Sequence, residues 1–477
     1  MGNTIFGSAA CTTILIDEGN LLNFVFEKVD NTLPLNLTEC PDLNSSGIKR
    51  LTVSPVISSL IRCWRVNYQD RKHIVGELAY SLSIPDEGEY IISVGVAHSP
   101  GDWCGADPVN GPTDNFKPYL KNLFDFISEP YLKDLRNGRA FLLLDQTHEG
   151  YQTSWLWDWF YNSCVHYKIN PRQIIYITGN MDCGTQYDAW AESKGHTQDK
   201  MLVVPHAHFE NVIYEISEGY KHPTMLPPGI TDKRELPTLE RHLDYKRANI
   251  ENIKMFNVLQ KRPRGHRMWF FKYLVDAGLL DNNIVSMNEF NYESTYFENR
   301  MMDREDYDNI SKLLPLTPNE NPANYNKDNF ESGDGGIYVL SLNDRTMLNS
   351  WCTVVSEASY GASEVACFLS EKTFKPIACS HPFIIVGSKG SLTNLRKMGY
   401  KTFSPYIDES YDDLDDWERM DAITKEMQRL NAMSQEQRLE WFTGLADILR
   451  YNYNVLSSNY ANHVPALMTL FSTHIGK

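Results

Sequence analysis

The stretch Ser356–Phe403, SEASYGASEVACFLSEKTFKPIACSHPFIIVGSKGSLTNLRKMGYKTF, decides how the second half of the chain folds. Its run Phe383-Ile384-Ile385-Val386 has no polar alternation, the pattern of a strand buried on both faces of a parallel sheet. Gly387-Ser388-Lys389-Gly390 ends that strand as a turn. Upstream, Ser370-Glu371-Lys372 opens a helical pattern, where unpaired N–H groups and the helix dipole favour an anion. A strand, a glycine turn and a helix start this close together would suit a diphosphate.

Working outward, Met255-Phe256-Asn257-Val258-Leu259 reads as another strand, followed by the basic turn Gln260-Lys261-Arg262-Pro263-Arg264-Gly265, a helix from His266 to Ala277 and a strand at Asn283–Met287. Ligands of open α/β sheets bind at the carboxyl ends of strands. Lys261, Arg262, Arg264, His266 and Arg267 gather at one such end, on a helix start whose dipole opposes cations unless an anion is present. Together with Ser370, Glu371 and Lys372 they form the expected phosphate site, with Lys372 as a second cation and Glu357 or Glu364 accepting hydrogen bonds from a ribose. The alternative account is a solvated turn whose arginines pair with surface carboxylates.

In the first half, residues 1 to about 135 show short strand-like runs such as Thr12–Ile16 and Tyr90–Val94, whose order in a sheet is not legible. From Ala140 the pattern sharpens: a strand at Ala140–Asp145, a Trp-rich helical segment at Thr153–Tyr167, a strand at Gln173–Thr178 and a short apolar run at Lys200–Pro205. Such alternation implies a parallel sheet with helices on its faces. Between Glu218 and Asn249 the composition changes to His222-Pro223, Pro227-Pro228-Gly229 and a charged run from Asp232 to Arg247, read as a connector or a solvated helix. The division expected is therefore an α/β domain over 1–245, a second α/β domain over 246–430 and C-terminal helices over 431–477 packing on one or both. Ser434-Gln435-Glu436-Gln437 has the form of a capping box ahead of an apolar face at Leu439, Trp441, Phe442, Leu445 and Leu449.

Composition narrows the partners. The 477 residues exceed one ordinary core. With 61 acidic against 45 basic side chains the net charge is −16, which argues against a broad basic face for duplex DNA but leaves room for a local basic groove. Nine cysteines are scattered with no C-x-x-C pair, so neither a disulfide framework nor a zinc site is indicated. No apolar run approaches the roughly 20 residues of a membrane span, and no signal or lipidation motif is read. A cytoplasmic protein without a membrane partner is expected, in the host cytoplasm if the chain is viral.

A carboxylate or imidazole at the end of a buried strand is a candidate general base. The first domain offers Asp145-Gln146-Thr147-His148-Glu149-Gly150 at the end of a buried strand, with Glu149 as the foremost candidate and Asp145 and His148 as rivals; a helix-capping turn is the structural alternative. His206 and His208 lack an apparent third metal ligand and read as a structural pair. Asp412-Asp413-Leu414-Asp415-Asp416 offers a D-x-D pattern, but without a buried strand before it the segment reads as acidic caps opening a helix.

The segment Glu357 to Gly387 resembles the donor-binding motif of the fucosyltransferase family, in which a Glu-containing stretch precedes a Tyr-x-Thr-Glu-Lys run and an apolar strand ending in glycine; Ser370 stands here where the family has Thr. The resemblance implies a GT-B architecture of two Rossmann-like domains facing each other across a cleft, the second holding a nucleotide-diphosphate sugar, with no metal and no cofactor and with inversion at the anomeric carbon. It implies that Lys372 contacts the diphosphate, assisted by an arginine of the basic turn. The block from about 256 to 420 is also similar to glycosyltransferase-like proteins of large tailed phages, through NVLQKRPRGHR, LSEKTFKP and GYKTFSPYIDESYD. That likeness suggests hydroxymethylated cytosine in DNA as one acceptor; a cell-surface glycan, and a non-catalytic nucleotide- or glycan-binding protein, are the alternatives.

Overall fold

The computed structural model describes residues 9–17, 20–27, 51–52, 89–96, 124, 129–147, 149–150, 155–218, 238–260, 264–288, 304–316, 344–361 and 367–476. By contact the chain forms two compact units, one of Met1–His208, Glu364–Ala366 and Ala461–Lys477, the other of Phe209–Ser363 and Cys367–Tyr460.

The first unit is built on strands β1 (Ala9–Asp17), β2 (Asn20–Glu27), β3 (Leu51–Thr52), β4 (Tyr90–Val96), β5 (Ala140–Gln146), β6 (Ile174–Thr178) and β7 (Leu202–Pro205). They form one sheet in the order β1-β2-β4-β5-β6-β7, with β3 beside β4. β1 is antiparallel to β2 and β3 to β4, while β2, β4, β5, β6 and β7 run parallel. Every residue of β5 and β6 is buried, as their unbroken apolar runs require of strands covered on both faces. Helices α1 (Glu129–Arg136), α2 (Leu156–Tyr167) and α3 (Cys183–Lys194) belong to this unit. The Trp-rich helix forms as its spacing predicts. Trp157 and Phe160 lie against Tyr176 of β6 with ring centroids 5.8 and 5.4 Å apart, and Trp159 is 1% exposed, each large ring contributing a few kcal/mol of burial.

The second unit holds β8 (Lys254–Gln260), β9 (Ile284–Met287), β10 (Ser350–Ser356) and β11 (Phe383–Val386), all parallel in the order β11-β10-β8-β9. The chain leaves β8 toward β9, then returns to the other side of β8 for β10 and β11. The direction of winding therefore reverses between β8 and β10. Its helices are α4 (His208–Ser217), α5 (Leu239–Ala248), α6 (Gly265–Asp276), α7 (Arg304–Ser311), α8 (Asp344–Leu348), α9 (Glu371–Ala378), α10 (Ser391–Lys397), α11 (Asp416–Asn431), α12 (Gln435–Gly444) and α13 (Ala446–Ile475), the last running into the first unit from Ala461. The result is the expected α/β class, two Rossmann-like units, the first on a mainly parallel sheet and the second on an all-parallel one, with C-terminal helices.

Two readings change. β10, the strand beside β8 at the reversal, has the mixed composition Ser-Trp-Cys-Thr-Val-Val-Ser and escapes a search for apolar runs, yet all seven residues are buried. The part of the charged run that falls on α5 is not a solvated helix: Leu239, His242 and Lys246 are buried. Lys246 is wholly enclosed, and its ammonium donates to the carbonyls of Met347 at 2.9 Å, Leu348 at 3.0 Å and Ser350 at 2.5 Å. It thereby caps the end of α8, between the rings of Trp351 and Phe442. Burial holds the amine well below its ordinary range.

The capping box at Ser434 and Gln437 forms as read, and Trp441, Phe442, Leu445 and Leu449 are buried. α13 is fastened in the second unit by Asn452, which hydrogen-bonds both the N–H and the carbonyl of Lys401, and by Asn459, which donates to Met398 O at 3.0 Å and to Glu210 Oε1 at 2.7 Å. In the first unit His474 Nε2 donates to Arg172 O at 2.8 Å. Among the described residues no helix is long and apolar enough to cross a membrane.

Glu210 also receives the hydroxyl of Tyr400, and burial pushes its carboxyl up to about 7, the donors from Tyr400 and Asn459 pulling the other way. The folded protein therefore holds a proton that the unfolded chain, near 4.5, has lost. Stability should fall as pH rises from about 4.5 to 7, by up to about 3 kcal/mol, and level off above. Urea melts across that range should show this slope, and Glu210→Gln should flatten it.

Candidate functional site

The carboxyl ends of β8 and β10 collect most of the predicted binding residues. Ser356 ends β10 and Glu357 follows it, while Gln260 ends β8 ahead of the basic turn. Arg264 Nη1 donates to Ala358 O at 2.5 Å, His266 Nε2 to Glu357 O at 3.0 Å, and Arg267 Nη2 to Ser356 O and Glu357 O at 3.2 and 3.0 Å. Three cationic or imidazole side chains from one helix start thus grip three consecutive carbonyls of the neighbouring strand end. His266 and Arg267 are buried in doing so, whereas Arg264 remains exposed. Because a carbonyl only accepts, Nε2 of His266 carries the proton; its ring lies parallel to Tyr360, with centroids 5.8 Å apart.

The same segment is held from its other side. Tyr360 donates from its hydroxyl to Asp416 O at 2.8 Å, and the buried Arg419 donates to Tyr360 O at 2.8 Å with its guanidinium 4.3 Å from that ring.

Glu357 is 1% exposed, and its carboxylate accepts from Ser370 N–H at 3.1 Å, Ser370 Oγ at 2.5 Å, Thr373 Oγ1 at 2.6 Å and Ala358 N–H at 3.2 Å. It therefore caps the start of α9 from the end of β10. This corrects the expectation that Glu357 accepts hydrogen bonds from a ribose: its lone pairs serve the fold. The helix starts where the sequence placed it, with Ser370, expected as a phosphate-site residue, as the N-cap of α9. Glu371 is 4% exposed and meets Lys372 Nζ at 2.6 Å; burial pushes its carboxyl up, but Lys372 and Lys375 outweigh that and leave it below its usual range. Burial pulls the Lys375 amine down to about 8 while Glu371 pushes it up. Lys372 keeps 32% of its side chain exposed.

The glycine turn after β11 is not available to a diphosphate in the way its sequence suggested. The carboxylate of Asp412 accepts from Leu392 N–H and Thr393 N–H, both at 2.9 Å, and from Thr393 Oγ1 at 3.0 Å, so the first turn of α10 already holds an anion. Asp412 accordingly caps the helix before it in sequence, while Asp415 at the N-cap and Asp416 in the first turn open α11 as the acidic cluster was read. Gly387 is required for a steric reason: a Cβ there would lie 2.9 Å from Ile385 Cγ2 and 3.3 Å from Glu357 Cβ. By contrast, the N-cap of α6, Arg264, makes no side-chain cap.

In the first unit, Asp145 is buried and its Oδ1 accepts from Thr147 N–H at 2.9 Å and Thr147 Oγ1 at 2.7 Å, forming a turn off β5. Glu149 is partly exposed, with its N–H on Gln146 O at 3.0 Å and its carbonyl accepting from Gly179 N–H at 3.1 Å. Its backbone is thus pinned between the ends of β5 and β6. His206 lies 6.1 Å from the ring of His463, and burial, reinforced by that ring, holds its imidazole down to about 3. Among the described residues no group of three or more His, Cys, Asp and Glu could hold a metal ion. Lys261, Arg262, His148 and Glu364 lie outside the described residues.

No family model matches the chain, and no curated protein does. Among solved structures the chain is similar to the trehalose-6-phosphate synthase OtsA, at 12% identity over 98% of this chain and 88% of that one, with a TM-score of 0.39. It is similar to an α,α-trehalose 6-phosphate synthase of Burkholderia multivorans, at 12% identity over 99% and 89%, TM-score 0.39. A UDP-forming α,α-trehalose-phosphate synthase of Burkholderia vietnamiensis matches at 12% identity over 72% and 71%, TM-score 0.35. At these identities and TM-scores, what those enzymes bind does not transfer to this chain.

Because four donors converge on Glu357, its loss should be felt by the fold before any ligand. Glu357→Ala should cost about 3 kcal/mol or more, read as a drop of roughly 10 °C in melting temperature without ligand.

Proposed function

We propose that the protein is a glycosyltransferase of GT-B type, moving a sugar from a nucleotide-diphosphate sugar to an acceptor hydroxyl. The observation that carries this reading is the gathering of four cations at the strand ends where the winding of the second sheet reverses, Arg264 and Arg267 on the backbone carbonyls of Ala358 and Glu357, and Lys372 and Lys375 beside the Glu371 carboxylate. Such a reversal leaves a crevice at the carboxyl ends of the central strands, the ligand position of open α/β sheets. Of the described cations there, Arg264 and Lys372 keep exposed surface with which to meet phosphate oxygens.

In this reading the diphosphate leaves with its negative charge met by those cations. Glu149 takes the proton of the acceptor hydroxyl as the oxygen attacks the anomeric carbon. Its partly exposed side chain fits that role better than Asp145, whose carboxylate is buried and engaged with Thr147. Inversion and metal independence follow from the fucosyltransferase resemblance. For the acceptor, the phage-like segments favour hydroxymethylated cytosine, which a chain of net charge −16 would take as a flipped base in a local basic groove rather than across a duplex face. A glycan hydroxyl is the second acceptor to try.

Arg264→Ala and Lys372→Ala should each weaken donor binding about tenfold or more with little change in melting temperature. Calorimetric titration with UDP-, GDP-, ADP- and CMP-sugars in the presence of a chelator checks this, and wild-type affinity in both variants would sink the phosphate site. Glu149→Gln should keep donor affinity but lower transfer to acceptor by about 10²-fold or more. Donor binding without turnover by the unaltered protein on any acceptor would favour a binding protein on the same scaffold.

A further inference from the structure

Two polar side chains at the reversal point have no hydrogen-bond partner among the described residues. Gln260, the last residue of β8, is 2% exposed and both Oε1 and Nε2 are unpaired; Ser356, the last residue of β10, is 5% exposed and its Oγ is unpaired. An unpaired polar group buried in protein is costly, and native structures retain few without a reason.

Their placement supplies one. The β8–β10 ladder pairs Ser350 with Lys254, Cys352 with Phe256 and Thr353 with Asn257, whereas β10 stays paired with β11 to Ser356–Val386 and β8 with β9 to Gln260–Met287. Each central strand thus follows its outer neighbour beyond the last pair that joins the two. Carried forward in register, Ser356 falls opposite Gln260, and the side-chain period of two puts both on one face of the sheet. Asn257 and Thr353 lie on the other face, where the Asn257 amide donates to Thr353 Oγ1 at 2.9 Å. One face of the central pair is closed by its own hydrogen bond, and the other ends in an unpaired amide and an unpaired hydroxyl.

The geometry points to Gln260 and Ser356 as a subsite for a vicinal diol of the donor, beside the cationic groups that take its phosphates. This rests on the reading of the protein as a nucleotide-sugar transferase. An amide offers one donor edge and one acceptor edge, and a hydroxyl serves as either, which matches two neighbouring hydroxyls. Phosphate oxygens only accept, so they would meet the amide oxygen of Gln260 unfavourably. With the Glu357 carboxylate committed to Ser370 and Thr373, this neutral pair is what the strand ends offer to hydroxyls.

The diol has two sources, the ribose and the transferred sugar. Titration of the full chain and of Gln260→Leu and Ser356→Ala with pyrophosphate, UDP, GDP, ADP, their 2′-deoxy forms and the corresponding nucleotide sugars separates them. Each variant should bind pyrophosphate as the unaltered chain does. If the ribose is held, each should lose about tenfold in affinity for the preferred nucleoside diphosphate, and the 2′-deoxy form should bind unaltered chain and variants alike. If the transferred sugar is held, the loss should be confined to the nucleotide sugar. Melting temperatures of both variants should be unchanged or raised, since each replacement removes an unpaired polar atom. Unaltered affinity for every ligand, or a lower melting temperature with no loss of affinity, marks a structural water and overturns the subsite while the transferase reading stands. Failure of the unaltered chain to bind pyrophosphate, nucleotides or nucleotide sugars overturns both.

Discussion

The carboxylate of Glu357 joins the end of β10 to the start of α9, and the arrangement of the second unit's strand ends depends on that joint. Its acceptor atoms satisfy the N–H and hydroxyl of Ser370 and the hydroxyl of Thr373. Its carbonyl meanwhile anchors His266 and Arg267 from α6. One residue therefore fixes two helix starts relative to one strand, through its side chain for the first and its backbone for the second. Gly387 lets β11 close against it, since any Cβ there would press on Ile385 and Glu357. A position this constrained sets where Lys372 and Arg264 sit without having to touch a ligand.

Internal carboxylates settle which helix starts remain open. Glu357 supplies the anion at α9 and Asp412 at α10, each inside the first turn where a phosphate oxygen would otherwise accept. At α6 the N-cap is a cation, Arg264, and the turn before it carries Lys261 and Arg262. A free anion finds two of these helix starts already neutralised, whereas the third opens on the cation Arg264.

Much of the architecture was legible because its signals are local. Phe383–Val386 is a strand with the bounds its apolar run predicts, α9 starts at the Ser370-Glu371-Lys372 step, and Ser434 with Gln437 forms the capping box. The alternation of strands and helices in both halves led to the α/β class. β10 was not legible, because Ser350, Thr353 and Ser356 interrupt its apolar residues; the hydroxyls of Ser350 and Thr353 instead serve Asn257, distant in sequence. Glu357 and Asp412 were noticed as carboxylates, but what they cap depends on chain crossings that no spacing encodes. Gln260 passed as the polar edge of a basic turn; its signal, two unsatisfied amide atoms, exists only once the strand ends are placed. Buried charge is likewise invisible to composition, as α5 demonstrates with a lysine in a run that reads as solvated.

That lysine gives the second unit an internal chemical clock. An amine acylates only as a free base reached by reagent, and Lys246 is sealed beneath Trp351 and Phe442 with its hydrogens committed to three carbonyls. Exposed amines such as those of Lys389 and Lys425 label from the folded state. Labelling of Lys246 instead waits for α5 to leave the end of α8, so its rate, followed by mass spectrometry, times the opening of this core without any engineered probe.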